Sequence, residues 1–162
     1  MEDDIFIKIY NKYFPYVYRY LYGLTYHQTA EDLTQESFIK ALCVLQFPSE
    51  SIKSWLLTVA HNLYVDYVKK NRRLDFRKDS FINQIKVQDF TEGLMIKEST
   101  SSAFLLIRQL PENQRQAVLL CLVNELPYKQ AGEILGISVS AVTNLIYRAR
   151  KTLRSLRRNI NE

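Results

Sequence analysis

The sequence predicts an all-α protein of two small helical domains joined by a flexible linker. Apolar residues recur at the three- and four-residue spacing of helices in both halves of the chain. Only 4 Gly and 4 Pro occur among 162 residues, too few for the many turns of an all-β fold. The helical spacing fails between residues 74 and 98. We therefore predict domains at residues 1–73 and 99–162, with residues 74–98 as the linker.

The first domain opens with a predicted helix from Asp4 to Leu24 that is crowded with tyrosines. Its core-facing stripe is predicted at helical spacing, and Pro15 is expected to kink or restart the helix because it lacks an N–H donor. The stripe comprises Ile5, Ile9, Tyr13, Tyr16 and Tyr20. The tyrosines have two open interpretations: core residues whose hydroxyls reach the surface, or rings that stack on nucleic-acid bases.

The second predicted helix begins near Thr29, which we expect to act as its N-cap. Its inward positions are Ala30, Leu33, Ser37, Phe38, Ala41 and Leu45. Its polar residues then share the outer face: Asp32, Gln35, Glu36 and Lys40. From the residue pattern alone, we predict that this outer face is exposed to solvent and has no partner.

The third predicted helix runs from Ile52 to the basic cluster "KKNRR". Its apolar stripe is Ile52, Trp55, Leu56, Val59, Ala60, Leu63 and Tyr67, with His61 and Asn62 predicted to lie off the stripe. A basic C-terminal end complements the helix dipole, so these charges alone do not identify a binding site.

The stretch "YKQAGEILGISVSAVTNLIYRAR" has the spacing of a helix-turn-helix motif. Ala131 is small where two helices approach, Gly136 permits the left-handed turn, and Ser138 caps the final helix. Five residues stay outside its predicted buried stripe of Val142, Leu145, Ile146, Ala149 and Leu153: Ser140, Thr143, Asn144, Tyr147 and Arg148. The motif favours DNA binding over an amphipathic core helix with a basic tail.

Charge and composition limit the function classes. The net charge of +5 arises in residues 99–162, where nine Lys/Arg face four Asp/Glu, and this indicates a polyanionic partner. The acidic N-terminus is unlike a secretory signal, and no apolar run approaches the roughly 20 residues of a membrane span. We expect a cytoplasmic protein with no membrane insertion of its own. Cys43 and Cys121 have no CxxC partner, so we predict two buried thiols, no metal site and no cofactor.

Three blocks of sequence resemble, in the same order, the extracytoplasmic-function (ECF) family of RNA polymerase sigma factors in the sigma-70 superfamily. They are "AEDLTQESFIKAL", "SWLLTVAHNLYVDYVKKNRR" and "LPENQRQAVLLCLVNELPYKQAGEILGISVSAVTNLIYRARKTL". The resemblance extends from about Ile5 to Leu156. It implies a region 2 bundle at residues 1–73 and a region 4 helix-turn-helix at residues 99–162. The partners it implies are core RNA polymerase, promoter DNA and an anti-sigma factor.

The resemblance also implies which residues meet each partner. Core polymerase would contact Asp32, Gln35, Glu36 and Lys40. The −10 element would contact Asn62, Lys69, Lys70, Arg72 and Arg73, and the loop at residues 47–51 would hold a flipped base. The −35 element would contact Ser138, Ser140, Thr143, Asn144, Tyr147, Arg148 and Lys151. Many relatives are basic where this chain has Thr143 and Leu145, which predicts weaker phosphate anchoring there.

Two other function classes are weaker. A one-component helix-turn-helix regulator would dimerise on a palindromic site and would not need the polar face of the second helix. An enzyme such as a recombinase would need a nucleophile among clustered arginines, or a carboxylate metal site. His27 and His61 are isolated in the sequence, so we predict no catalytic residues.

Overall fold

The computed structural model describes residues 2–43, 51–74 and 98–161. Every regular element in these ranges is helical, which confirms the predicted all-α class. The chain divides into two compact units, residues 1–93 and 94–162. The predicted domain limits at 73 and 99 and the linker at 74–98 stay predictions, because residues 75–97 lie outside the described residues. Leu45 and most of the loop at 47–51 also lie outside them.

The N-terminal unit contains α1 (Glu2–Leu24), α2 (His27–Leu42) and α3 (Ile52–Leu74). Each helix packs on the other two. The side chains that fill the space between them are almost fully buried: Val17, Tyr20, Leu21, Phe38, Leu56 and Leu57. The predicted inward positions of α2 are correct from Ala30 to Ala41.

For α1, the predicted restart at Pro15 and the predicted start of the core-facing stripe at Ile5 are wrong, while the alternative of a kink at Pro15 stays a prediction. The helix is not restarted at Pro15, because the burial of Val17, Leu21 and their neighbours holds the following turns in place. Arg19 Nε donates to the Pro15 carbonyl at 3.0 Å and adds a side-chain bond across this turn. Ile5 is 55% exposed, so the core begins one turn later, at Ile9.

The start of α2 is stabilised by contacts with α1 and not by the predicted cap at Thr29. The N-cap position is Tyr26, whose side chain makes no capping bond. His27 Nδ1 lies 2.5 Å from the Tyr18 hydroxyl, and His27 Nε2 lies 3.7 Å from a Glu31 carboxylate oxygen. Tertiary contacts at the first helical residue therefore replace a local capping signal.

His61 is buried, which contradicts its predicted place off the apolar stripe. It is 8% exposed, and its Nδ1 lies 2.7 Å from the Tyr20 hydroxyl. Because α3 contacts both α1 and α2, it buries a wider face than one stripe, and this face also includes Leu57 and Tyr64. A buried polar ring requires a hydrogen-bond partner, and Tyr20 supplies one from the neighbouring helix.

The C-terminal unit contains α4 (Glu98–Arg108), α5 (Glu112–Val118), α6 (Tyr128–Leu135) and α7 (Val139–Asn161). A π-helical turn, Leu119–Val123, extends α5 and was not predicted. Pro111 and Pro127 occupy the N-cap positions of α5 and α6. The core side chains include Phe104, Leu110, Leu119, Leu120 and Ile146.

The turn between α6 and α7 confirms the helix-turn-helix prediction. Gly136 has φ of 69°, in the left-handed region that favours glycine. Ser138 Oγ accepts the Ala141 N–H at 3.1 Å and so caps α7. Ala131 is fully buried, but the closest approach is at Gly132, where an added Cβ would lie 2.7 Å from the Ile137 carbonyl oxygen.

Candidate functional site

The outer face of α2 carries four exposed polar side chains, as their spacing predicts: Asp32, Gln35, Glu36 and Lys40. Asp32 has one weak contact, from Gln28 Nε2 at 3.4 Å. Ile39 and Leu42 lie between and beyond these residues and are 60% and 53% exposed. Exposed branched apolar side chains beside carboxylates suit a protein partner with a basic and apolar surface. The sequence analysis did not identify these two residues. Ile39 could have been noticed, because it is an apolar residue that lies outside the predicted inward positions of the helix.

The outer face of α3 exposes Asn62, Lys69, Lys70 and Arg72. Trp55, predicted to be a core residue, is half-buried and lies seven residues before Asn62, hence on the same side of the helix. Asn62 directly follows His61, whose bond to Tyr20 fixes this part of α3 against α1. The side chain of Arg73 lies outside the described residues. Asn62 and Lys69 share one face, which combines an amide that can read a base with a cation that can meet a phosphate. Lys70 and Arg72 lie on either side of this face.

The outer face of α7 exposes the residues predicted there: Ser140, Thr143, Asn144, Tyr147, Arg148 and Lys151. Tyr147 is 69% exposed, while Val142, Ile146 and Ala149 are buried beneath. Leu145 and Leu153 are half-buried and so lie at the edge of the predicted stripe. Thr143 donates its hydroxyl to the Val139 carbonyl at 2.9 Å, which leaves only its oxygen lone pairs for a partner.

The basic run that ends α7 is divided between two sides of the helix. Arg150, Arg154 and Arg157 line an apolar groove of about 350 Å³. The floor of this groove is formed by Leu106, Ile107, Val118, Leu122, Val123 and Leu153. Arg148, Lys151 and Arg158 are exposed and do not line it. By the helical period, Arg148, Lys151 and Arg158 lie on the same side of α7 as Asn144, so these three cations and Asn144 can contact one partner.

The two cysteines differ in environment. Cys43, the C-cap residue of α2, is exposed, which contradicts its predicted burial. Cys121 is buried, and desolvation raises the pKa of its thiol to about 11, so it stays protonated at neutral pH. Among the residues that the structure describes, no three His, Cys, Asp or Glu side chains are grouped to hold a metal ion. No described helix is long and apolar enough to cross a membrane.

A helical bundle followed by a helix-turn-helix unit with an exposed polar recognition helix defines a DNA-binding transcription protein. The family model of Sigma-70 region 2 matches residues 9–74, and that of Sigma-70 region 4 matches residues 104–153. The chain belongs to the ECF family of RNA polymerase sigma factors. It is an alternative sigma factor that directs transcription initiation, and sigma factors are non-enzymatic initiation factors.

Individual proteins agree with this assignment. The chain is 34% identical over 161 residues to the ECF RNA polymerase sigma factor SigM of Bacillus subtilis, covering 96% of this chain and 97% of SigM. It is 33% identical over 162 residues to the ECF RNA polymerase sigma factor BldN of Streptomyces coelicolor, covering 96% of this chain but 61% of BldN. The fold resembles that of the sigma factor RpoE of Bartonella quintana, solved with the anti-sigma factor NepR. That match has a TM-score of 0.71 and 23% identity, and it covers 98% of each chain.

Proposed function

We propose that this sigma factor binds core RNA polymerase through the outer face of α2, reads the −10 element with α3 and reads the −35 element with α7. One observation carries the proposal. The two family matches fall on the two helical units, and the described helices of each unit expose a polar face at the matched positions. The chemistry of each face supports a different partner.

The α2 face suits a protein partner. Asp32 and Glu36 are one turn apart with Gln35 beside them, so two carboxylates and an amide project from one face. Ile39 adds apolar area at the next turn and Lys40 adds a cation. A basic helix on the polymerase would complement these carboxylates, and Ile39 would contribute desolvated contact area.

The α3 face suits promoter DNA near the −10 element. Asn62 offers an amide that pairs bidentately with adenine, and its backbone is fixed by the neighbouring His61–Tyr20 bond. Lys69, Lys70 and Arg72 follow on the same helix and would neutralise phosphates. We also assign Arg73 and the loop at 47–51 to this site by resemblance alone.

The α7 face suits the duplex −35 element. Helix-turn-helix proteins place the start of the second helix in the major groove, which brings Ser140 and Asn144 to base edges and Tyr147 and Arg148 to the backbone. Lys151 adds a phosphate contact one turn later. Ser138 caps α7 and so fixes the start of the recognition helix, and we assign it a contact with the DNA backbone. Because Thr143 and Leu145 are uncharged, recognition of the −35 element rests more on Ser140, Asn144, Tyr147 and Arg148.

We also propose that an anti-sigma factor binds this chain and that the chain acts in the cytoplasm. RpoE, described above, and CnrH, which was solved with the cytosolic domain of CnrY, resemble this fold. CnrH matches with a TM-score of 0.68 and 19% identity over 95% of this chain and 88% of CnrH. We assign no catalytic residue and no cofactor to this chain, since the polymerase performs the chemistry.

Transcription by reconstituted polymerase over a randomised promoter library tests the function directly. We expect transcripts only when the chain and core polymerase are both present, with two conserved elements in the selected promoters. Selection of a palindromic duplex by the chain alone, without any effect on polymerase, would instead identify a one-component helix-turn-helix regulator.

Replacing Asn62 with alanine is expected to lower open-complex formation about 5- to 160-fold at a selected promoter. The loss corresponds to one bidentate base contact of about 1–3 kcal/mol. Permanganate footprinting of the holoenzyme on that promoter measures it, and binding to core polymerase should not change. Lys69→Ala is the matched control, because losing a phosphate contact weakens all promoters alike. An equal loss of core binding in Asn62→Ala would remove Asn62 from the −10 surface.

A further inference from the structure

Three arginines beside the apolar groove of the C-terminal unit have no role in the surfaces proposed so far. Arg150, Arg154 and Arg157 line this groove, on a helix that contains six Lys or Arg and no Asp or Glu. None of the three forms an ion pair in the described part of the chain. The helix dipole favours cations only near the last turn, and Arg150 and Arg154 lie before it. The helical period also turns all three away from Asn144 and the DNA that it is proposed to read.

The floor of the groove is apolar and reaches the surface. The groove measures about 350 Å³, and Leu122 on its floor is 37% exposed. Leu122 and Val123 belong to the π-helical turn that extends α5, and such turns are frequent at functional sites. An apolar floor rimmed by cations suits an occupant that is both apolar and acidic.

The outer face of α2 has both of these properties. Asp32 and Glu36 are exposed carboxylates one helical turn apart. By the helical period they form one stripe with Ile39, with Leu42 on one flank of it and Lys40 on the other. Ile39 and Leu42 are 60% and 53% exposed. A partner that covers this stripe removes two branched apolar side chains from water and pairs two carboxylates.

We propose that, in the free protein, the outer face of α2 of one copy docks in the groove of a second copy. The charges have matching spacing, because Arg150 and Arg154 are one turn apart on α7, as Asp32 and Glu36 are on α2. Carboxylate–guanidinium pairs set the register, and the two exposed apolar side chains of α2 meet the groove floor. Each copy carries both surfaces, so two reciprocal contacts close a two-fold dimer.

The dimer is an inactive form of the sigma factor. This consequence rests on the function proposed above, in which the same α2 face binds core polymerase. Self-association and polymerase binding therefore exclude each other, and free polymerase draws the chain out of the dimer by mass action.

Sedimentation equilibrium of the full-length chain measures the self-association. We expect the mean mass to rise from that of one chain to that of two as the concentration increases. The R150E/R154E variant should raise the dimer dissociation constant about tenfold or more, because carboxylates then face carboxylates. Both arginines are exposed, so the fold should be retained. A chain that stays monomeric, or a dimer that R150E/R154E leaves unchanged, would overturn the proposal.

Charge exchange between two variants separates docking from a structural defect. D32R/E36R and R150E/R154E should each dimerise poorly alone, because both contacts of each homodimer set like charges together. Their mixture should form heterodimers, in which one contact is native and the other pairs the exchanged charges. Absence of heterodimers would reject the pairing of α2 with the groove.

Two further measurements complete the test. R148E/R158E is the control for net charge, since both arginines are exposed on α7 outside the groove, and it should dimerise like wild type. Added core polymerase should convert the wild-type dimer into a complex with one copy of the chain. A polymerase complex that keeps the dimer would overturn the inactive form. A chain that dimerises but never binds polymerase would instead reject the proposed function.

Discussion

Replacing Asp32 with arginine is expected to weaken binding to core RNA polymerase by about 30-fold or more. Asp32 is exposed and lies on the same face as Gln35 and Glu36, so the substitution places a cation where we propose a basic partner surface. Disrupting a charge pair that becomes buried in an interface costs about 2–5 kcal/mol, because the remaining charge is left unpaired. The fold should not change, since Asp32 is exposed and, within the described residues, makes one weak hydrogen bond, from Gln28.

A competition assay against labelled wild-type chain for core polymerase measures this effect. Asp66→Arg is the matched control, because Asp66 is an exposed carboxylate of the same unit but lies on α3. That variant undergoes the same change of charge, so a general electrostatic effect would weaken both proteins equally. Unaltered affinity of Asp32→Arg would place the polymerase contact elsewhere in the unit.

Local periodicity explains which parts of the fold the sequence predicts well. In α2, the inward positions from Ala30 to Ala41 follow the 3.6-residue period and are buried as expected. In α7, Val142, Ile146 and Ala149 also follow the helical period and are buried. Serine is a preferred N-cap residue and glycine is preferred in a left-handed turn, so Ser138 and Gly136 were predictable from residue type. These features depend on residues within one helix or turn, so the residues that determine them are close together in the sequence.

The failures have a common physical origin in contacts between distant segments. His61 looks like a surface residue until Tyr20, 41 positions earlier, is seen to supply its hydrogen bond. Thr29 looks like a cap until His27 is seen to contact Tyr18 on α1. In each case, tertiary packing outweighs a local preference worth about 1 kcal/mol or less.

The candidate surfaces were more predictable than the interior that supports them. Exposure of Asp32, Asn62 and Asn144 follows directly from helical spacing, whereas their partners were implied only by resemblance. The exposed Ile39 was missed because single apolar residues are common on surfaces.

Replacing Gly132 with alanine is expected to destabilise the C-terminal unit by up to about 2.5 kcal/mol and to reduce −35 binding with it. Two effects oppose each other. Alanine improves helix propensity by about 0.5–1 kcal/mol over glycine. The new Cβ, however, would lie 2.7 Å from the Ile137 carbonyl oxygen, a backbone atom in the turn that accompanies α7. Overpacking of this kind costs about 1–3 kcal/mol, and a backbone atom cannot rotate away as a side chain does.

Urea denaturation of the full chain distinguishes this effect from a general loss of stability. Trp55 is the only tryptophan and lies in the N-terminal unit, so its fluorescence should report an unchanged transition. Far-UV circular dichroism should show the C-terminal helices unfolding at lower urea. Gly136→Ala is the control: no atom lies within 4 Å of its Cβ, so only its φ of +69° is strained, at a cost of about 1 kcal/mol. If Gly132→Ala were as stable as wild type, the backbone at Ile137 would have to move away from α6 to make room for the new Cβ. A change in −35 binding without a change in stability would reveal that movement.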